Sequence, residues 1–526
     1  MLKKFVFFIL LFSACYSIDY SHWSSAESNL SIAGHNNSSP QIVIHPVTGK
    51  ALCVWANGTT NNIQIASSLD GGTIWLPASE IVSDNIAKLS KTPKIAINPL
   101  SDSAICVWGA EYPGTGPFFT QFIQKAFSFN LGETWTIASG ANVREGAYYQ
   151  TAINPQTNNC VYGYFEPSGF PPEIQVQYST DNGVSYAALP SGILGTDVQL
   201  VTNNALVLIL AYVDTSGTAI DSAYSNNGGT GWTFAPPIPI YPAGMQVANP
   251  SLAINVTTQD AVCVLSEYNG NNWVIRSAYT NNPTNPWNVS ATPPPSPAAE
   301  DAKYPKVAVD SSSGRVICVW QNLTSGRIQA AYSVDNGNTF VAASNDLSPT
   351  GNISESAQLT INPTTGDAIC VWRNKTTTTI QSAYSSDGGI TWIRSPNDLS
   401  DKNAYDPQIA VNPTTGKVAC VWSRYNGSTY DIQATYSPVI PYVSIRQETK
   451  KLLFQDDIVN VLSWDAVAQA SYYRVYSDSN LSNMIYQGMD LFFADQGRKA
   501  NTTYTYYVTW TNATGIESAP TIVSVP

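Results

Sequence analysis

The fold is decided by a segment that spans residues 407–422 and reads PQIAVNPTTGKVACVW. It begins with a proline and an alternating apolar run, continues through a turn that contains Gly416, and ends in Cys-Val-Trp. An apolar run of this length bounded by a turn is typical of a β-strand, and the glycine supplies the positive φ that a tight turn needs. The segment therefore predicts two antiparallel strands joined by a short turn.

The same pattern recurs along most of the chain. It is found at residues 40–55, 93–108, 152–162, 250–265, 305–320, 359–372 and 407–422. The cysteines that mark it follow each other at intervals of 50–55 residues, apart from one interval of 103 residues, and are Cys53, Cys106, Cys160, Cys263, Cys318, Cys370 and Cys420. A diverged copy without the cysteine occupies the long interval at residues 196–212, so we count eight copies. Four short strands in each unit of about 50 residues are typical of the blades of a β-propeller.

A second motif joins the third and fourth strands of most copies, and it reads SLDGGTIW at residues 68–75. Its acidic or amide residue recurs at Asp70, Asn130, Asp181, Asn227, Asp335 and Asp387. This motif resembles the Asp box, or BNR repeat, of the sialidase-like β-propellers. The Asp or Asn side chain can accept backbone N–H groups inside a tight turn, and the glycines take φ angles that other residues avoid. The resemblance implies a structural turn on the face opposite the ligand site.

The last copy ends near residue 437 without its Asp box or its fourth strand. Residues 22–27 read like the fourth strand of other copies, which begins with Trp, so we expect the segment around Trp23 to complete the last blade. Closure of the ring would remove exposed sheet edges. We therefore predict an all-β chain with an eight-bladed propeller over residues 18–437. Seven blades are the alternative if copy four is not a blade.

A different strand pattern follows the proline-containing hinge at residues 438–441. Residues 503–510 read TYTYYVTW, and this part of the chain resembles a fibronectin type III domain with Tyr504 at the tyrosine-corner position. The resemblance covers residues 438–526 and implies a small β-sandwich that serves as a spacer or adhesive module.

The first residues have the composition of a secretory signal. Lys3 and Lys4 precede an apolar run at residues 5–12, and small residues follow, so we assign residues 1–17 to a signal peptide. The run is too short to span a bilayer, and we expect no transmembrane helix after signal removal. Secretion or attachment to the cell-envelope surface follows, with a lipid anchor at Cys15 as the alternative.

Composition excludes several classes of function. The 526 residues include 25 basic and 37 acidic side chains, for a net charge of -12, so nucleic acid is not expected as a partner. Only 3 His are present, and we expect neither a metal site nor a cofactor. The cysteines share one strand position, and because packed sheets lie about 10 Å apart we expect buried free thiols rather than disulfides.

The resemblance to sialidases raises the question of catalysis. Those enzymes hold a carboxylate with three arginines and use a Tyr–Glu nucleophilic pair with an Asp acid/base. The opening strand of the first copy, at residues 40–43, has no arginine, and the first Arg in the chain is Arg144. No sialidase catalytic residue can be transferred to a matching position, so we do not expect activity.

Candidate ligand-binding residues lie on loops that should open opposite the Asp boxes. They follow the Cys-Val-Trp strands or connect successive copies, and they are Glu111, Tyr112, Glu166, Glu267, Tyr268, Arg144, Arg373, Arg424 and Tyr425. Aromatic side chains with scattered polar groups suit docking of a sugar or a peptide. The leading hypothesis is a sialidase-like propeller that binds a glycan or an extracellular or envelope protein. A divergent exo-sialidase or related glycoside hydrolase and an architectural envelope component are the alternatives.

Overall fold

A computed structural model describes residues 20, 23, 28–76, 79–81, 89–113, 119–138, 143–144, 147–166, 173–188, 193–239, 244–437, 443–451, 456–464, 470–499, 502–511, 517 and 521–525. The chain divides into an N-terminal unit, Tyr20–Pro438, and a C-terminal unit that begins at Val439. All regular elements among the described residues are β-strands. None of the described residues forms a helix that is long and apolar enough to cross a membrane.

The N-terminal unit contains short strands that pair as antiparallel meanders. In chain order they are β1 (Ser28–Asn29), β2 (Asn37–Ile44), β3 (Ala51–Asn57), β4 (Asn62–Ser68), β5 (Ser79–Ile81), β6 (Leu89–Ile97), β7 (Ala104–Pro113), β8 (Phe119–Ser128), β9 (Thr136–Ile137), β10 (Val143–Arg144), β11 (Ala147–Ile153), β12 (Cys160–Glu166), β13 (Glu173–Ser179), β14 (Ala187–Ala188), β15 (Ile193–Thr202), β16 (Leu208–Asp214), β17 (Ile220–Ser225), β18 (Thr233–Ile238), β19 (Val247–Ile254), β20 (Ala261–Tyr268), β21 (Trp273–Thr280), β22 (Asn288–Val289), β23 (Ala302–Val309), β24 (Val316–Asn322), β25 (Arg327–Ser333), β26 (Val341–Ala342), β27 (Ser354–Ile361), β28 (Ala368–Asn374), β29 (Thr379–Ser385), β30 (Ile393–Arg394), β31 (Ala404–Val411), β32 (Val418–Tyr425) and β33 (Tyr430–Tyr436).

Each copy of the repeat forms one meander, which we call a blade. Blade one is β2–β5, blade two is β6–β9 with β10 added beside β8, and blades three to seven each use the next four strands in order. Blade eight consists of β31–β33 and β1. Because β13 also pairs with β15, blades three and four share one sheet, so the described residues contain eight meanders in seven sheets.

The first strands of successive blades lie side by side and form a closed row, since β31 contacts β2 as well as β27. This is the arrangement of a β-propeller, and it confirms the all-β propeller fold that the repeat predicts. The second strand of each blade is buried on both faces, as in β3, where every residue is buried. Its side chains alternate between the two neighbouring blades: Cys53 and Trp55 pack toward blade eight, and Leu52 and Val54 toward blade two. That double burial explains the continuous apolar run Ala-Leu-Cys-Val-Trp.

All seven described cysteines are buried free thiols in second strands, as the sequence predicts. Burial penalises the thiolate and raises the pKa of Cys160 and Cys263 to about 12. A thiol with so high a pKa is a weak nucleophile at neutral pH, so these side chains act as small apolar residues.

The N-terminal residues complete blade eight. Ser28 and Asn29 pair with β33, and the Leu30 N–H donates to the Ile432 carbonyl at 2.8 Å. Trp23 packs against a buried cluster between blades seven and eight that includes Trp422. The paired strand therefore begins five residues after Trp23, which serves as a packing residue and not as a member of the strand.

Tyr20 adds a further link at the same boundary. It is 1% exposed, its hydroxyl donates to the Gly416 carbonyl at 3.2 Å, and it accepts from the Asn362 amide at 3.1 Å. Gly416 lies in blade eight and Asn362 in blade seven, so the N-terminal segment holds two neighbouring blades together.

The turns between third and fourth strands share one hydrogen-bonded geometry. In blade one the Ser68 hydroxyl donates to Asp70 Oδ1 at 2.6 Å and accepts the Gly72 N–H at 2.9 Å. Asp70 Oδ1 also accepts the N–H groups of Thr73 and Ile74, each at 3.0 Å. Equivalent Ser-to-carboxyl or Ser-to-amide bonds are made by Asn130, Asp181, Asn227, Asp335 and Asp387. These hydrogen bonds all lie within the turn itself.

The C-terminal unit consists of two antiparallel sheets around a separate core. Its strands are β34 (Val443–Lys451), β35 (Asp456–Trp464), β36 (Tyr472–Tyr476), β37 (Met484–Gly488), β38 (Phe492–Arg498), β39 (Tyr504–Thr511) and β40 (Thr521–Val525). One sheet has the order β34-β35-β38 and the other β37-β36-β39-β40, which together form the small β-sandwich that the sequence predicts. The Tyr504 hydroxyl accepts the Lys499 N–H at 3.0 Å, as in a tyrosine corner.

Candidate functional site

Every first strand of the N-terminal unit contains a β-bulge. The register with the second strand shifts near the start of all eight first strands, for example between Ser38 and Gln41 in β2. The residue at the shift has a positive φ in seven blades: Ser39, Thr92, Asp197, Asn249, Tyr304, Ser356 and Asp406. A bulge bends its strand and redirects side chains. Here it directs polar residues of successive blades toward the space enclosed by the first strands.

A cavity of about 530 Å³ lies inside the row of first strands. Its described lining comes from β2, β6, β23, β27 and β31, with Gln321 added from the second strand β24. The polar groups at its wall include Gln41, Lys94, Lys306, Gln358 and Gln408. This volume falls in the usual range for small-molecule sites. We call this space the axial cavity.

The axial cavity opens on the face opposite the Asp-box turns. The start of a first strand pairs with the end of the second strand, as Ser38 pairs with Ala56, so the bulges lie at the end where second strands turn into third strands. The Asp-box turns connect third to fourth strands and therefore lie at the other end of each meander. The candidate loops chosen from the sequence open on the same face as the axial cavity.

Two lysines place their side chains in the axial cavity. Burial penalises the Lys94 ammonium and lowers its pKa from 10.5 to about 8, and repulsion from Lys306 acts in the same direction. Burial also lowers the pKa of Lys306, against the attraction of Asp197. Neither amine lies within ion-pair distance of a carboxylate among the described residues. The cavity therefore holds two neighbouring positive charges that lack a direct counter-charge in the described part of the chain.

Two carboxyl groups, from Glu355 and Asp406, also line the cavity, on blades seven and eight. Glu355 is ion-paired with Arg373 and lies 3.4 Å from Lys375 Nζ, so its charge is already balanced. Burial raises the pKa of Asp406, an effect that Arg373 opposes and Glu355 reinforces. Neither carboxyl group forms an ion pair with Lys94 or Lys306.

Aromatic side chains extend from the cavity rim over blade eight. The ring centroids of Tyr405 and Tyr430 are 6.0 Å apart, and those of Tyr430 and Tyr425 are 5.1 Å apart. We call these three residues the tyrosine row. The row begins next to Asp406, and the Arg373 guanidinium carbon lies 4.2 Å from the centroid of the Tyr405 ring. Arg373 thus links the cavity residue Glu355 to the tyrosine row.

The structure distributes the other sequence candidates among separate blades. Glu111 is ion-paired with Lys91 in blade two. Glu267 is completely buried in blade five, where its Oε1 lies 3.4 Å from Arg276 Nε. Burial raises the pKa of Glu267, although Arg276 lowers it in part. A buried carboxyl group paired in this way is not accessible to a ligand.

Tyr268 and Arg424 lie at the ends of second strands. The Tyr268 ring is 5.6 Å from that of Trp273, and Arg424 Nη2 is 2.9 Å from Asp401 Oδ2. Of the sequence candidates, Arg373 and Tyr425 are the two that the structure brings together, through Tyr405 and Tyr430. Tyr112, Arg144 and Glu166 lie in β7, β10 and β12, and their side chains are outside the described part of the chain.

Sequence reasoning missed the cavity residues themselves. They belong to a recurring unit of three residues. The first residue varies, the second is usually proline, and the third is Gln, Lys or Ser. The unit appears as residues 39–41, 92–94, 249–251, 304–306 and 406–408. Aligning the copies on this proline would have shown lysine in only two of them, at Lys94 and Lys306.

The Asn-x-Thr sequences at the open face are structural turns. Asn57 and Asn322 are 0% exposed, and each accepts two backbone N–H groups within its own hairpin turn. Thr59 and Thr324 in turn accept N–H groups of the segments that lead into the first strands. These residues therefore fix the entry of the chain into the bulged strands.

Comparisons with known proteins identify no family for this chain. No family model matches it, and no curated protein matches it. A search of solved structures finds an ulvan lyase of polysaccharide lyase family PL25 (10% identity, TM-score 0.44, covering 78% of this chain and 95% of the lyase) and a GH74 xyloglucanase from Xanthomonas campestris (11%, 0.40, covering 96% and 93%). It also finds the Hadza microbial sialidase Hz136 (14%, 0.35), where the match covers 55% of this chain and 63% of the sialidase. Such low scores support no inference about activity.

Proposed function

We propose that the N-terminal unit binds an acidic carbohydrate in the axial cavity and does not cleave it. The observation that carries the proposal is the pair of lysines, Lys94 and Lys306, in a cavity of about 530 Å³ that is also lined by eight amide or hydroxyl residues, by the carboxyl groups of Glu355 and Asp406, and by prolines and an alanine. The proposal refines the hypothesis of a glycan-binding propeller and places the ligand at the bulges of the first strands.

The chemistry of the lining supports a carbohydrate. Gln41, Gln358 and Gln408 each offer both donors and acceptors, which suits hydroxyl groups that donate and accept in turn. Tyr304, which is 50% exposed, offers a ring face for the apolar face of a sugar.

The charge distribution supports a negative group on the ligand. Two ammonium groups held close together in a partly desolvated cavity repel each other, and an anion between them would offset that repulsion. A carboxylate or a sulfate on a sugar has the required chemistry. The arginine-based arrangement of sialidases is not found among the described residues that line the cavity.

The carboxyl groups support binding rather than hydrolysis. Glycoside hydrolysis by two carboxyl groups needs one that is protonated and one that is free to act as base or nucleophile. Glu355 is held by Arg373 and Lys375, while Glu111 and Glu267 are ion-paired in other blades. Among the described carboxyl groups of the cavity wall, Asp406 has a raised pKa and is suited to act as an acid, and this observation favours the hydrolase alternative.

A binding experiment tests the proposal. An array of acidic glycans (oligouronates, sulfated galacto-oligosaccharides and sialosides) would identify a ligand, and calorimetry would compare the wild-type protein with Lys306→Met and Lys402→Met. Lys402 is an exposed lysine on the loop before β31, so its replacement controls for the loss of one positive charge. We expect Lys306→Met to weaken binding at least tenfold and Lys402→Met to have little effect.

Turnover distinguishes the binder from the hydrolase. Incubation with a fluorogenic sialoside and with any glycan found on the array should release no product. Release that is abolished by Asp406→Asn would establish the hydrolase instead. If no acidic glycan on the array binds the protein and pull-downs recover envelope proteins, the architectural alternative is favoured.

Export and domain organisation are part of the proposal. We propose that residues 1–17 are a signal peptide, that the mature propeller spans residues 18–437, and that residues 438–526 form a fibronectin type III-like spacer. The seven strands of the C-terminal unit and the Tyr504 hydrogen bond support the last assignment. N-terminal sequencing of the exported protein would test the cleavage site, and labelling with palmitate would test the lipid anchor at Cys15.

A further inference from the structure

The tyrosine row is an aromatic feature of the open face that does not line the axial cavity. We propose that it is a second carbohydrate subsite, so that the ligand is an oligosaccharide that leaves the axial cavity and continues across blade eight. This inference rests on the proposed function, because it assigns the direction and minimum length of the ligand bound at the same site.

The hairpin that carries two of the tyrosines is one residue pair longer than the hairpins of blades one and six. The second and third strands end at the pair Asn57–Asn62 in blade one and at Asn322–Arg327 in blade six. In blade eight the equivalent pair is Arg424–Asp431, and the strands continue to one more pair, Tyr425–Tyr430. The added pair is aromatic at the tip of a hairpin, where polar residues are the norm.

The exposed faces and hydroxyl groups of the row are available for a ligand. Tyr430 is 38% exposed although its ring contacts both Tyr405 and Tyr425. The hydroxyls of Tyr405 and Tyr430 have no hydrogen-bond partner among the described residues, whereas the Tyr425 hydroxyl donates to the Gly427 carbonyl at 2.8 Å. That last bond holds the tip of the hairpin in place. An ordered ring with an unused hydroxyl is suited to stacking on a sugar and to bonding its hydroxyls.

The row is continuous with the axial cavity through side-chain contacts. Glu355 lines the cavity and pairs with Arg373, and Arg373 covers one face of Tyr405 while its Nε donates to the Ala404 carbonyl at 2.9 Å. Tyr405 directly precedes Asp406, which also lines the cavity. A saccharide chain that leaves the cavity on this side therefore meets Tyr405 first and Tyr430 next.

Blade five provides an internal contrast. Its hairpin is also extended by an aromatic pair, Tyr268–Trp273. The Lys303 ammonium lies 3.6 Å from the centroid of the Trp273 ring and covers that face. In the tyrosine row the central ring, Tyr430, has no such cation over it among the described residues. The row in blade eight is therefore the better platform for a sugar.

The test compares short and long ligands on matched variants. The probes are the monomer and the tetramer of galacturonate and of a sulfated galactose series, measured by calorimetry against the wild-type protein, Tyr430→Ala, Tyr430→Phe and Phe129→Ala. Phe129 is 52% exposed in an Asp-box turn on the opposite face and serves as the matched aromatic control. Melting curves of each variant would verify folding, which an exposed tyrosine should not compromise.

We expect the tetramer of the preferred series to bind the wild-type protein at least tenfold more tightly than the monomer. Tyr430→Ala should abolish that advantage and leave monomer affinity unchanged, while Tyr430→Phe should keep most of it and Phe129→Ala all of it. Equal affinity for monomer and tetramer, or a tetramer affinity that Tyr430→Ala does not change, would overturn the second subsite while leaving the axial site in place. Failure of the wild-type protein to bind any acidic saccharide, by contrast, would overturn the proposed function itself.

Discussion

Replacement of Lys94 by methionine should make the ligand-free protein more stable. The same replacement should abolish binding of the acidic carbohydrate. In the absence of an anion, Lys94 is a buried ammonium near a second one, and the folded state bears the cost of that charge. A lowering of the pKa from 10.5 to about 8 corresponds to at most ~3 kcal/mol at neutral pH. Because the side chain keeps some contact with solvent in the cavity, we expect Lys94→Met to raise the free energy of unfolding by ~1–2 kcal/mol.

The pH dependence identifies the cause of that effect. The folded pKa of Lys94 lies below its unfolded value, so between pH 8 and about pH 10 the unfolded chain holds more protons than the folded protein, and the wild type gains stability as the pH rises. The advantage of Lys94→Met should therefore be largest at pH 7 and should shrink to a small fraction near pH 10.

Urea denaturation at pH 7 and pH 10, in a buffer free of sulfate and phosphate, measures both quantities. Lys402→Met serves as the control, because an exposed lysine should give nearly the same free energy of unfolding as the wild type at both pH values. A variant Lys94→Met that is less stable than the wild type at pH 7, or equally stabilised at both pH values, would refute the claim that an uncompensated charge lies in the cavity.

Three further predictions concern the fold. Gly72→Ala should cost about 2–4 kcal/mol, since Gly72 has a φ of 103° and a new Cβ would lie 2.7 Å from Ala419 Cβ, whereas Gly34→Ala, with a φ of 82° and open space around it, should cost about 1 kcal/mol in chemical denaturation. Trp23→Ala should lower the free energy of unfolding by ~1–3 kcal/mol, as expected for a half-buried aromatic side chain, and should therefore lower the melting temperature. It should also promote association through the uncovered edge of β33. An unchanged melting curve would contradict the role of the N-terminus in closing blade eight. Burial alone would raise the pKa of the Asp-box carboxyls Asp335 and Asp387, but the hydrogen bonds that they accept outweigh burial and lower the pKa. Their stabilising effect should therefore be lost as the pH falls through the pKa of the folded state. Replacing both residues by Asn should make the free energy of unfolding less dependent on pH in the acid range.

The fold was largely predictable because repetition amplifies weak signals. One apolar run such as residues 51–55 does not distinguish a strand from a buried helix, but its recurrence with turns on both sides does. The Asp-box turns were predictable residue by residue, because their hydrogen bonds form within eight consecutive residues. The closing strand was predicted in the correct region but displaced by five residues, since Trp23 resembles the tryptophan that leads other fourth strands and the chain takes a different path after it.

The site was less predictable because a β-bulge is a property of the register between two strands. Loop length and polarity directed attention to Glu111 and Glu267, which the structure places in ion pairs of separate blades. Glu267 occupies the strand position that Asn57 and Asn322 hold in other blades, so a comparison of the copies would have indicated an internal role for it. The lysines were overlooked because they lie within apolar first strands, where only the bulge turns them toward the axis.

Differences among the copies are what make a site possible in a ring of similar blades. A ligand such as an acidic oligosaccharide is asymmetric, so its recognition needs groups that occur once or twice around the ring and not in every blade. The buried second strands and the Asp-box turns repeat because each blade must pack against the next in the same way. The residue that follows the bulge varies: it is lysine in blades two and six, serine in blade five and glutamine in the other blades, and the extended hairpin of blade eight carries the tyrosine pair 425 and 430. A bulge in every first strand thus provides eight equivalent places for a functional side chain, and the identity of the residue at each place determines where charge, hydrogen bonding and stacking occur.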